Sequence, residues 1–145
     1  MITIKKIQKI STQDGHMVPI YRDWDFDVNS GYTPRMVYMT SLNPGVVKDI
    51  ILHQRRSGYM TCIAGCISIE AMIDDKFEEF ILDYDGSDDQ INLLLIEPDV
   101  PIKIRNLSSQ TSIILNCPDP SWHPDDQDTL KFKSWSDFNK WKQRD

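Results

Sequence analysis

The sequence predicts an all-β sandwich or barrel with one short C-terminal helix. Three observations carry that expectation. Apolar residues alternate with others in runs of roughly four to eight positions along most of the chain. Clusters of turn-forming residues separate those runs: Asp14 and Gly15, "NPG" at 43–45, Gly65, "DDK" at 74–76, "DGSDD" at 85–89, "EPD" at 97–99 and "LSSQ" at 107–110. A helical period of apolar residues occurs once, near the end.

The expected strands follow in order. Ile2 to Lys9 alternates apolar with charged residues, and Met17 to Tyr21 and Met36 to Leu42 come next. Val46 to His53 leads into a pair of arginines. Gly65 then joins Tyr59–Ala64 to Cys66–Ile73, whose Ile67, Ile69, Ala71 and Ile73 share one aliphatic face. Phe77 to Asp83, Ile91 to Ile96, Ile102 to Asn106 and Ser112 to Asn116 complete the set. About ten short strands with such punctuation belong to a sandwich or barrel. The segment "CPDPSWHPDDQDTLKF" at 117–132 is rich in Pro and Asp and reads as an ordered loop wrapped across the barrel. In "KSWSDFNKWKQ", Ser134 is placed to cap a helix and Asp137 completes the capping box. Trp135, Phe138 and Trp141 form its apolar stripe, which is suited to a core or dimer contact.

Composition limits the function. At 145 residues the chain is one domain, 1–145. Its 16 Lys and Arg against 22 Asp and Glu give a net charge of −6, with no basic stripe interleaved with aromatics, so a nucleic-acid partner is not expected. No apolar stretch approaches the roughly 20 residues of a membrane span, and "MITIKKIQKI" lacks a signal-type apolar run. A soluble, cytoplasmic protein without a membrane partner is the expectation. Cys62, Cys66 and Cys117 are an odd number without a zinc-type pair and read as reduced, mostly buried thiols.

Alternation assigns faces to the strand at 46–53. Val47, Asp49, Ile51, His53 and Arg55 share one side; Val46, Lys48, Ile50 and Leu52 share the other. The odd side mixes charge with apolar carbon, as the wall of a ligand-holding barrel does. The even side suits packing against a second sheet or a subunit.

Several segments together resemble the cupin-fold nucleotide-sugar epimerases typified by dTDP-4-dehydrorhamnose 3,5-epimerase, and related polysaccharide-biosynthesis proteins. "DGHMVPI" at 14–20 is similar to their early "D-x-R-G-x-L" strand, without its arginine. "VYMTSLNPGVVKDIILHQRR" at 37–56 resembles their "PGVVKGWHYHKK" segment. "IAGCISI" at 63–69 is similar to their glycine turn, "IEPDVPIKIRNL" at 96–107 to "IPPGVWHGFKNL", and "ILNCPDPSWHPDDQD" at 114–128 to "LLN-PxxPYxPEDPDE". The resemblance implies a cupin, a jelly-roll barrel, that binds a sugar or sugar nucleotide in surface-carbohydrate biosynthesis. It also implies a homodimer built through the N-terminal strand.

The departures from that pattern bear on chemistry. Ile51 stands at the family's base histidine, Ile102 at a second histidine, and the catalytic tyrosine aligns near Leu115. Removing a proton alpha to a carbonyl needs a base within hydrogen-bond reach and a donor to the enolate oxygen. Isoleucine supplies neither. His53, matching the second histidine of the family's H-x-H, is left as the candidate catalytic base, with Asp49, Arg55 and Tyr59 as candidate substrate contacts. Arg55 and Arg56 offer paired donors to a diphosphate, or form a solvated strand end from which Arg56 points outward. For Tyr59, stacking on a base and filling the rim both stay open. A cupin metal centre needs three histidines and a glutamate, and only His53 matches, so neither metal nor cofactor is expected. The alternative function is a non-catalytic binding or regulatory cupin with a largely apolar pocket.

Overall fold

The structure, a computed structural model, describes residues 1–22, 32–86, 89–125 and 127–144. It is built from β1 (Ile2–Gln8), β2 (Ile10–Thr12), β3 (Gly15–Met17), β4 (Tyr38–Leu42), β5 (Ile50–His53) and β6 (Gly58–Ala64). These are followed by β7 (Cys66–Ile73), β8 (Lys76–Asp83), β9 (Gln90–Ile96), β10 (Ile102–Asn106), β11 (Ser112–Asn116), β12 (Thr129–Phe132) and the helix α1 (Trp135–Lys142). One five-stranded antiparallel sheet runs β1-β9-β6-β11-β4 and the other β12-β5-β10-β7-β8. This is the all-β cupin architecture, with its short C-terminal helix. Among the described residues no helix is long and apolar enough to cross a membrane.

The two inner faces share one aliphatic core. Ile67, Ile69 and Ala71 of β7, Leu82 of β8, Ile102 and Ile104 of β10, Leu94 of β9 and Ile114 of β11 are all buried in it. Each fully buried side chain of this kind stabilises the fold by roughly 1.5–3 kcal/mol relative to exposure. Turns set the register of the hairpins. Asp74 and Asp75 both take positive φ, the two-residue turn whose twist matches the β7–β8 pair. Gly65 between β6 and β7 has φ +84°, and a Cβ there would lie 2.1 Å from Ser112 Oγ, so any side chain would collide with β11. Asn106 clasps the loop after β4: its Nδ2 donates to the carbonyls of Leu42, Asn43 and Gln110, and its Oδ1 accepts from Ser112 Oγ.

Three expectations need correction. Met17–Tyr21 is not a strand: β3 ends at Met17, paired with β2 across the Asp14–Gly15 turn, and Pro19 lacks the N–H a ladder needs. Val18 and Ile20 instead pack with Tyr32 on the outer face of the first sheet. The presumed loop at 117–132 contains β12, which pairs with β5 along its whole length. The strand expected at 46–53 is broken. Ile102 pairs with Ile51 while Val47 bridges Arg105, so three residues of the β5 approach face two of β10. The extra residue is a β-bulge and reverses the alternation upstream of it. The turn expected at 85–89 lies partly on Ser87 and Asp88, outside the described residues.

Candidate functional site

The sandwich opens between β4, the edge strand of the first sheet, and β12, the edge strand of the second. A cavity of about 500 Å³ occupies that gap. Tyr38 and Thr40 line it from β4, Ile51 and His53 from β5, and Thr129 and Lys131 from β12; Met36, Lys48, Arg56 and Trp122 complete the wall. Cross-strand pairing explains the set, because Thr129 lies opposite His53 and Lys131 opposite Ile51, and opposed residues share a face. A deeper recess of about 40 Å³ continues inward past Tyr38 and His53 and is bounded by Met60, Ile104, Ile114 and Asn116.

Of the four residues singled out from sequence, only His53 lines the cup. Asp49 lies in the bulge, with its carboxylate accepting from Lys133 Nζ at 3.2 Å. Tyr59 is 2% exposed on the outer face of the first sheet, stacked on Tyr32, with its hydroxyl donating to the Ile20 carbonyl. The two arginines exchange their expected places. The Arg55 side chain is 66% exposed beside Asp128, whereas Arg56 is 5% exposed and lines the cup. The reason is that β5 ends at His53, so strand alternation no longer applies at 55 and 56. Lys48 lines the cup too, placed there by the bulge. Leu115, where the family tyrosine aligned, pairs with Met39 and Thr61 on the outer face, while its neighbours Ile114 and Asn116 point at the recess. Ile51 does line the cup, and Ile102 is buried in the core.

Tyr38 and Thr40 were legible and missed. They alternate with Leu42, a core residue, so the face was given by the pattern. Lys131 and Thr129 carry no such signal, because the Pro- and Asp-rich segment 117–132 reads as a loop.

Electrostatics gives the cup its character. Lys48, Arg56 and Lys131 line it and, among the described residues, no carboxylate does, in a chain of net charge −6. Arg56 Nη2 stands 3.0 Å from His53 Nδ1 and 3.3 Å from Thr129 Oγ1. The same Nη2 is 3.3 Å from His53 Nε2, so the guanidinium lies against the ring, where its charge favours neutral imidazole. Burial, and then the adjacent Arg56 charge, lower the His53 pKa to about 4 against the opposing pull of Asp128. Among the described residues, Arg56 Nη1 and Asp128 Oδ2 are buried with no hydrogen-bond partner, and no ion pair joins the two side chains. Among the described residues no three His, Cys, Asp or Glu side chains are grouped to hold a metal ion. The three cysteines are free thiols; burial pushes Cys62 up to about 11 and raises Cys66 and Cys117, so none is an activated thiolate.

Solved proteins share this fold. A dTDP sugar isomerase from Desulfovibrio desulfuricans superposes with a TM-score of 0.74 over 90% of this chain and 83% of that one, at 15% identity. The chain has the fold of sugar-nucleotide isomerases. A sugar 3,4-ketoisomerase from Thermoanaerobacterium thermosaccharolyticum, solved in complex with TDP, matches over 99% of this chain and 96% of its own, with TM-score 0.73 and 18% identity. A 3,5-epimerase from Legionella pneumophila, solved in complex with dTDP-4-keto-L-rhamnose, matches over 90% and 72%, with TM-score 0.74 and 13% identity. No protein-family model and no curated protein matches the sequence.

Proposed function

We propose that the chain binds a sugar nucleotide in this cup, with phosphates over Lys48, Arg56 and Lys131 and the sugar directed past His53. The observation that carries the reading is Arg56, whose guanidinium joins Lys48 and Lys131 on the wall of a cup that no carboxylate among the described residues lines. A hydrogen bond from a charged donor to a phosphate oxygen contributes about 1.5–3 kcal/mol. The likeness to proteins solved with TDP and with a dTDP sugar supports that class of anion. A place in surface-carbohydrate biosynthesis is proposed on the sequence resemblance alone. A cytoplasmic setting accords with three reduced cysteines.

His53 is the candidate base, and its surroundings weaken it. General bases work best with a pKa near the working pH. A ring held near 4 by burial and Arg56 is available to accept a proton but has little tendency to keep it. Ile51, beside it, has no group that can take up or release a proton. The standard 3,5-epimerase route is therefore absent or slow. Calorimetry against TDP tests binding: Arg56→Met should lower affinity about tenfold or more, as loss of a charge-assisted contact does. Equal affinity of the variant and the parent would reject the reading. Incubation with TDP-4-keto-6-deoxyglucose in deuterated water tests chemistry, and rapid deuterium entry at C3 or C5 that is lost in His53→Gln would show that His53 turns over after all.

A second reading, a non-catalytic cup for a partly apolar ligand, draws on the recess, where Ile51, Met60, Ile104 and Ile114 gather. Binding of small apolar molecules without any nucleotide affinity would favour it. We also propose a homodimer through β1, an edge strand with Ile4 half exposed. Light scattering at tens of micromolar should give twice the chain mass.

A further inference from the structure

Tyr38 projects into the cup and also borders the recess, yet no role for it follows from the charges around Arg56. Its hydrogen bonds have a direction that can be fixed. The Tyr59 backbone N–H, which can only donate, gives its proton to Asn116 Oδ1 at 3.0 Å. That settles which end of the Asn116 amide is oxygen. The other end, Nδ2, therefore donates to Tyr38 Oη at 2.8 Å, and the phenol oxygen accepts there. Asn116 is 3% exposed and both its contacts tie it to neighbouring strands, so it has little freedom to turn over. Among the described residues nothing accepts the phenol's own proton. With one side of the oxygen occupied by Asn116, that proton is left to the cavity.

The geometry points to Tyr38 as a ligand-contacting hydrogen-bond donor, aimed by the Tyr59–Asn116 relay at an acceptor oxygen of the sugar ring, a carbonyl or the enolate derived from it. The inference rests on the sugar-nucleotide reading of the cup and names which part of the ligand Tyr38 touches. The acceptor is assigned to the sugar because Tyr38, like His53, borders the recess as well as the outer cavity, whereas Arg56 and Lys131 line only the outer cavity and Lys48 alone of the three cations reaches both. Tyr38 and the three cations thus give the wall donors suited to stabilising negative charge on oxygen, with one weak base among them.

The test is calorimetry with two probes, TDP and TDP-4-keto-6-deoxyglucose, on the parent chain, Tyr38→Phe and Asn116→Asp. Tyr38→Phe should weaken the keto-sugar nucleotide about tenfold, as loss of one buried hydrogen bond does, and leave TDP within about twofold. Asn116→Asp keeps an acceptor for the Tyr59 N–H but replaces the donor facing Tyr38 with an acceptor. The phenol proton then turns inward, and the same selective loss should appear with the phenol still present. Equal weakening of both probes in Tyr38→Phe would overturn the inference, as would an unchanged keto-sugar affinity in that variant. Failure of the parent to bind TDP is a different outcome, which removes the sugar-nucleotide reading itself and Tyr38's role with it. Thermal melts check that each variant is folded before titration.

Discussion

The β7–β8 hairpin and the β5–β12 pair sit at opposite edges of one sheet, and they turn opposite faces to the interior. In β7 and β8 the apolar side, Ile67, Ile69, Ala71 and Leu82, points into the barrel, while Ser68 and Glu79 hydrogen-bond to each other outside. In β5 and β12 the apolar side points out. Ile50 lies opposite Phe132 and Leu52 opposite Leu130, and Phe132 meets Phe138 and Trp141 of α1. Trp135 reaches further across the same outer surface, donating to Glu70 and packing on Phe77. The helix thus buries the apolar face of one strand pair from outside. His53, Thr129 and Lys131 are left to line the cavity. An amphipathic strand reports that one face is buried, but not which layer buries it.

The comparison is tested most severely on the dry side. Ile69→Ala removes a side chain that is fully buried in the main core and should cost about 2–5 kcal/mol in urea unfolding. Nucleotide affinity measured well below the melting temperature should be unchanged, because Ile69 does not line the cup. A parallel loss of affinity would show that the two halves are not independent.

On the wet side the largest effect is in pH. His53 has a folded-state pKa of about 4 against an ordinary value of 6.5. Between those values the unfolded chain binds a proton that the folded chain refuses, so stability is full above about 6.5 and falls as pH is lowered toward 4. The loss from this one group is at most about 3 kcal/mol, and less because the ring is only partly buried. His53→Gln should flatten that part of the stability curve relative to the parent. Identical curves would mean that the ring titrates freely and that Arg56 does not hold it neutral.

Most of the fold was legible because alternation and turn residues agree. The bounds expected for the strands at 66–73, 102–106 and 112–116 are those observed. The site was less legible, and for local reasons. One unpaired residue in the bulge moved Lys48 into the cup and kept Asp49 out of it. The end of β5 at His53 put Arg56 inside and Arg55 outside. In β12, "TLKF" has two apolar residues spaced by a lysine, too short a run to stand out from the Pro- and Asp-rich segment before it. Its strand character comes from pairing with β5, a contact between residues more than seventy positions apart.

The smallest effect tests the layer that decides the polarity of β5 and β12. Ser134 has extended backbone, and its Oγ accepts from the Asp137 N–H at 3.1 Å, so it caps α1 in the way the capping box suggested. Ser134→Ala leaves one first-turn N–H to water and should cost about 1 kcal/mol. Because α1 is only two turns long, its order depends on packing against Phe132 as much as on its own hydrogen bonds. The loss should therefore appear locally before the global transition, as faster hydrogen exchange in α1, in Ile50 and Leu52, and in Leu130 and Phe132 of β12. The β7–β8 hairpin should keep its protection apart from the surface under Trp135. Uniform loss across the sheet would show that the helix and both strand pairs open as one unit, and the two edges would then be a single cooperative structure with two surface chemistries.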